Sequence, residues 1–132
     1  MKVAVDTNVL VRAAVRDERS QADVAGKLLR NAKMIAVAVP CLCEFVWVLR
    51  QVYGFKHSDA AAAIRALLVA ENVEMNRPAV EAGLDMLDAG GDFADGAIAY
   101  EGRWLGADTL VSFDKKAVEM LTAQGVSARL LL

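Results

Sequence analysis

Histidine, cysteine and proline are scarce in this chain: one, two and two in 132 residues. A single histidine, His57, and the lack of any C-x-x-C pair leave no ligand set for a zinc ion. With no second histidine beside it, a ligand or acid–base role for His57 is not favoured. Cys41 and Cys43 lie two apart in an apolar stretch. On a helix they would point to different faces, so a disulfide between them is not expected and both read as buried, reduced thiols. Long apolar runs are missing too. The longest charge-free stretch, residues 34–43, falls far short of the roughly 20 residues a membrane span needs, and it contains Pro40. The first residues carry one lysine and then meet Asp6, without the unbroken apolar core of a signal peptide. A cytoplasmic protein with no membrane partner is therefore expected.

What the chain has in quantity is apolar: 56% of residues are hydrophobic and the mean hydropathy is +0.33. At this length that suits one domain, residues 1–132, with a real core. The apolar residues alternate between two kinds of segment. Short runs, many of them β-branched, at residues 2–6, 35–39, 73–75, 109–113 and 128–131 read as strands. Between them, helical spacing and cap residues predict helices opening after Asp6, spanning about 20–31, 40–53, 59–70 and 93–105, opening at Pro78 and running through Leu87, and following from Lys115. Pro40 and Pro78 suit first helical turns, and Gly54 and Gly90-Gly91 suit stops. Strands separated by helices imply a parallel sheet covered on both faces, an α/β/α layer domain.

Five carboxylates stand at the ends of these strands or the starts of these helices: Asp6, Glu44, Asp92, Asp95 and Asp114. Ligands of such sheets bind outside the carboxyl ends of the strands, so the acids are expected to converge on that edge. Glu44 is the only charged residue between Lys33 and Arg50. Among so many apolar neighbours it reads as buried, and a buried carboxylate needs a cation or hydrogen bonds. An arginine from elsewhere in the chain is the alternative to a metal. Asp92 reads equally as a helix cap, whereas Asp95 lies inside the helical run and is the better ligand. Thr7, Asn8 and Ser112 are hydroxyl and amide groups beside these acids, fit to orient them, though caps and turns explain them as well. An acidic cluster of this kind suits hard divalent cations, which take oxygen ligands, and so points to phosphodiester chemistry.

The net charge of −2 is not that of a typical nucleic-acid binder. Setting the five acids aside leaves 12 of the 17 against 15 bases, a net of +3. Arg12, Arg16 and Arg19 fall near the end of the first helix, close enough to the acidic edge to meet phosphates, although surface solvation explains such a cluster too. Trp47 and Trp104 lie on apolar helical stretches and are expected in the core. Ile64, Leu67 and Leu68 offer either core or a dimer surface.

With these residues in place, the chain resembles the PIN-domain ribonucleases, and in particular the VapC toxins of bacterial toxin–antitoxin pairs, over nearly its whole length. Four segments carry the resemblance: Val5-Asp6-Thr7-Asn8-Val9-Leu10; Glu44 opening the helix after the second strand; Asp92-Phe93-Ala94-Asp95-Gly96-Ala97-Ile98-Ala99; and Val111-Ser112-Phe113-Asp114-Lys115-Lys116. The resemblance implies a PIN-like three-layer sandwich with a central parallel sheet of four to five strands. It implies a catalytic, metal-binding quartet of Asp6, Glu44, Asp95 and Asp114, with Asp92 as an accessory acid. It also implies a magnesium- or manganese-dependent endoribonuclease with one or two ions, an RNA substrate, a homodimer and a VapB-like antitoxin. Ser112 stands where the family usually has threonine, and Gly96 stands where a bulkier residue is common, which is expected to loosen that turn. Three rivals remain. A receiver-like domain would want adjacent acids after the first strand, where Thr7 and Asn8 stand, and an acceptor aspartate after the third, which leads to Asn76. A haloacid-dehalogenase-like phosphatase would want an aspartate at Asn8. A PIN nuclease of RNA processing, outside toxin–antitoxin systems, would share every motif.

Overall fold

The computed structural model describes all of residues 1–132, in two compact units, residues 1–76 and 77–132. The first unit runs β1 (Lys2–Ala4), α1 (Thr7–Val15), α2 (Arg19–Asn31), β2 (Met34–Ala36), α3 (Val39–Gln51), α4 (His57–Val69) and β3 (Val73–Glu74). The helical connections between the strands supply the crossovers that parallel pairing needs. The three strands form a parallel sheet in the order β1-β2-β3, with Val3 opposite Ile35 and Ile35 opposite Val73. Ile35, on the central strand, is fully buried.

Two of the helix starts in this unit, those of α1 and α2, follow from side chains that accept the unpaired first N–H groups. Asp6 Oδ1 accepts from the Val9 N–H at 3.3 Å, and Glu18 Oε2 accepts from the Gln21 N–H at 2.7 Å. Pro40 sits in the first turn of α3, where its missing N–H costs nothing. This helix therefore begins at Val39, and β2 ends at Ala36 rather than running on to Val39. A polar clasp joins the α1–α2 turn to the segment after α3. Arg12 Nη1 donates to Asp17 Oδ1 at 3.0 Å and to the Tyr53 hydroxyl at 3.3 Å, while that hydroxyl donates to Asp17 Oδ2 at 2.8 Å. The Tyr53 bond, aided by the Arg12 charge, holds the Asp17 carboxyl below its ordinary range.

The second unit runs α5 (Arg77–Asp88), α6 (Phe93–Trp104), β4 (Leu110–Ser112), α7 (Lys115–Ala123) and β5 (Ala128–Leu130). Here β4 and β5 pair in parallel, with Leu110 opposite Ala128 and Ser112 opposite Leu130. Met86 of α5, Ala99 of α6 and Leu121 of α7 form a buried cluster covered by Leu110, Met120, Val126 and Ala128. The chain is thus an α/β fold with five short parallel strands in a three-stranded and a two-stranded sheet. No helix is long and apolar enough to cross a membrane.

Two glycines set the approach of α5 to α6. A Cβ on Gly83 would lie 2.5 Å from the Phe93 ring. A Cβ on Gly96 would strike the Ala82 carbonyl group and lie 3.0 Å from the Gly83 Cα. Gly96 is buried, and instead of loosening its turn it admits the neighbouring backbone. Gly102, on the same helix, has open space where its Cβ would be. Gly96→Ala is therefore expected to destabilise the chain by about 1–3 kcal/mol through overpacking, and Gly102→Ala to stabilise it by about 0.5–1 kcal/mol through helix propensity. Thermal melts of the two variants, followed by circular dichroism, should move in opposite directions.

Candidate functional site

The acids of the first unit are Asp6 and Glu44. Asp6 follows β1, and its extended backbone (φ −89°, ψ 175°) makes it the N-cap of α1. One carboxylate oxygen serves the cap; Oδ2 has no protein partner. The next residue, Thr7, is buried and donates its hydroxyl to the Cys41 sulfur at 3.8 Å, linking the start of α1 to the first turn of α3. Cys41 reports where the acids lie. Burial pushes its thiol up from 9.0, the Thr7 hydrogen bond opposes that, and the carboxylates of Asp6 and Glu44 push it further up. Both acids thus act on one half-buried thiol, which stays protonated at neutral pH. Cys43 is half-buried as well, and neither cysteine is in a disulfide.

Glu44 itself is exposed, so its expected burial does not hold. The reason is helical period. Leu42, Phe45, Val46 and Leu49 are buried on one face of α3, while Pro40, Glu44, Trp47 and Gln51 form an exposed stripe at spacings of three and four. The apolar residues beside Glu44 in sequence point elsewhere. Trp47 and Trp104, expected in the core, are 59% and 77% exposed. Ile64 is fully buried, whereas Leu67 and Leu68 are half-buried.

The second unit brings three acids together. Asp92 caps α6, its Oδ1 accepting from the Ala94 N–H at 3.0 Å, and Asp114 caps α7, its Oδ1 accepting from the Ala117 N–H at 3.1 Å. Asp95 lies in the first turn of α6. Burial, then the charges of Asp92 and Asp114, push its carboxyl above the ordinary 3.8. Ser112 Oγ accepts from the Asp114 N–H at 2.9 Å and braces the turn from β4 into α7. Asn8, in the first unit, lines a groove of about 300 Å³ between α1 and α2, together with Val9, Arg12 and Gln21. His57 is the first residue of α4.

Several basic residues have partners other than these acids. Arg12 pairs with Asp17, Arg16 with Asp23 at 2.6 Å, and Lys115 with Glu119 at 3.9 Å. Lys116 donates to the Gly90 carbonyl at 3.1 Å. Those ion pairs leave all five acids out. Of the arginines expected to meet phosphates, Arg12 and Arg16 are in these surface ion pairs. Within neither unit do three histidine, cysteine, aspartate or glutamate side chains meet closely enough to cage a metal. The carboxylates of each unit are hard, anionic oxygen donors, the type that Mg²⁺ or Mn²⁺ takes together with several waters. No known family model matches the chain, and no curated protein matches it.

The raised Asp95 carboxyl ties stability to pH. The folded chain binds that proton more tightly than the unfolded chain does, so the contribution is full below the ordinary value of 3.8 and is lost as pH rises through the raised folded value. Asp95→Asn removes the charge. In chelator at neutral pH the variant is expected to melt roughly 2–5 °C above the parent, with the gain vanishing near about pH 3, below the ordinary carboxylate range. A gain that persists unchanged at acid pH would show that crowding is not its source.

Proposed function

We propose that the chain is a magnesium- or manganese-dependent endoribonuclease with a PIN-like sandwich fold, the toxin of a type II toxin–antitoxin pair of the kind its motifs resemble. The carboxylates of Asp6, Glu44, Asp95 and Asp114 are its metal ligands, with Asp92 accessory. The observation that carries this reading is that the acids of each unit are gathered and left without cations: Asp6 and Glu44 about Cys41, and Asp92 and Asp114 about Asp95. An acid whose charged form is already disfavoured by its neighbours gains most from a bound cation. When bound, a divalent ion supplies the positive charge that draws in a phosphodiester and acidifies a water for attack on phosphorus.

The chain's own groups prepare the site. Asp6 and Asp114 each commit Oδ1 to a helix N–H, which fixes the direction in which the second oxygen faces. Ser112 and Thr7 stiffen the two turns that carry them. No side chain is assigned as a dedicated general base. A homodimer and a small antitoxin that covers the acids complete the reading.

Purified chain incubated with RNA and Mg²⁺ is expected to cleave it, to stop in chelator and to recover with Mn²⁺. Asp6→Asn, Glu44→Gln, Asp95→Asn and Asp114→Asn should each lose about 100-fold or more in rate while remaining folded. Full cleavage by Asp6→Asn would show the site to be wrong. Labelling by acetyl phosphate, or turnover of a phosphomonoester without RNA cleavage, would favour the receiver or phosphatase alternative instead. A neighbouring small reading frame whose product silences cleavage would establish the toxin role, and cleavage with no such partner would leave an RNA-processing nuclease. Mg²⁺ should also raise the melting temperature of the parent and not that of Asp95→Asn.

A further inference from the structure

The helices α1, α2, α6 and α7 start on a capping carboxylate, and α3 does not. Ala38 precedes it and offers only a methyl group, so no side chain caps its first turn. What reaches that turn instead is Thr7, whose hydroxyl donates to the Cys41 sulfur at 3.8 Å across 34 residues of chain. Thr7 is only 9% exposed, and a buried hydroxyl deprived of its acceptor is costly. Each end of this bond carries an acid. Thr7 directly follows Asp6, whose Oδ1 is itself fixed by the Val9 N–H. Cys41 lies three residues before Glu44, a spacing that makes two side chains neighbours on a helix surface. The charges of both carboxylates reach the Cys41 thiol, in keeping with that placement.

We propose that Cys41 is a positioning residue for the acids of the first unit: by accepting the Thr7 hydroxyl it anchors the first turn of α3 to the start of α1, and so sets how far Glu44 stands from Asp6. The inference rests on the reading of those two acids as metal ligands, and it adds an uncharged residue that acts only through them. A divalent ion needs its carboxylates held at a suitable separation, and groups that orient ligands govern affinity nearly as strongly as the ligands do. Glu44 depends on such a brace more than Asp6 does. Asp6 is fixed by its own cap bond, whereas Glu44 is exposed, with a longer side chain, on a helix whose start is uncapped. Sulfur is a weak acceptor, but here it is the acceptor that a buried donor has.

The test is a Mn²⁺ titration of the full chain, read as the rise in melting temperature, so that metal binding is scored without RNA cleavage. Thr7→Val removes the donor and Cys41→Ala the acceptor, and each is expected to raise the Mn²⁺ midpoint about tenfold. Cys41→Val repeats the second test with the side-chain volume better kept, in case the alanine variant does not fold. Combining Thr7→Val with Cys41→Ala should raise the midpoint no further than the worse single change, because both break one bond. Thr7→Ser keeps the hydroxyl and should stay within about twofold of the parent. Tyr53→Phe supplies the comparison for a merely structural loss. It removes the clasp bonds to Arg12 and Asp17 in the same unit, and should melt lower with the parental midpoint. Parental midpoints in the folded Thr7→Val and Cys41 variants would overturn the proposal, even if they melt lower. So would additive effects in the double variant. If Asp6→Asn loses the response to Mn²⁺ while the Thr7 and Cys41 variants keep it, the brace falls and the metal ligands stand. If Mn²⁺ leaves the melting of the parent unchanged, both fall.

Discussion

A carboxylate accepting the first free N–H groups of a helix is the interaction on which both units depend. A helix start leaves four such donors unpaired and carries about half a unit of positive charge. Asp6, Glu18, Asp92 and Asp114 answer it at α1, α2, α6 and α7. Three of these four are also candidate metal ligands. The cap takes one oxygen and leaves the other, so a single side chain starts a helix and presents an anion at a fixed angle. Fold and site are therefore not separable at these positions. An asparagine keeps the cap oxygen and loses the charge, whereas an alanine loses both.

The second constraint is that the acids are not neutralised within their units. Basic residues have other partners: Arg12 belongs to a clasp with Asp17 and Tyr53, and Lys116 reaches a carbonyl. This leaves like charges facing one another. Burial first, and these charges after it, raise the carboxyl of Asp95 and the thiol of Cys41. A folded chain that keeps such a conflict needs something to offset it. The packing of α5 on α6 through Gly83, Gly96 and Phe93 shows one source of that stability in the second unit, since close backbone approach maximises buried contact.

Much of this was legible along the chain. Every expected helix and strand is present, within a few residues at each end. The starts of α1, α2, α6 and α7 were readable because each is capped by an oxygen-bearing side chain, and Asp92 was rightly suspected of that role. Strand ends were read too long. The hydrophobic signal of residues 35–39 continues through Val37, while Pro40 obliges the next helix to begin. Asp6, Asp92, Asp95 and Asp114 were found because their residue type and their place at element boundaries coincide, whereas Glu44, expected to open its helix, lies past the first turn of α3.

What the amino-acid sequence determined by itself is local: periodicity, caps, and which residues are acids at the junctions, because each depends only on neighbours within a turn or so. The tertiary structure alone decided which side of each helix meets the core. Glu44 looked buried because apolar residues flank it, yet 100° of rotation per residue carries those neighbours to other faces. The same geometry brought Trp47 into solvent. Gly96 looked like a loose point and is a tight one, because the Ala82 carbonyl that fills its space comes from another helix. Exposure and close approach belong to pairs of elements, and one element's sequence does not contain them.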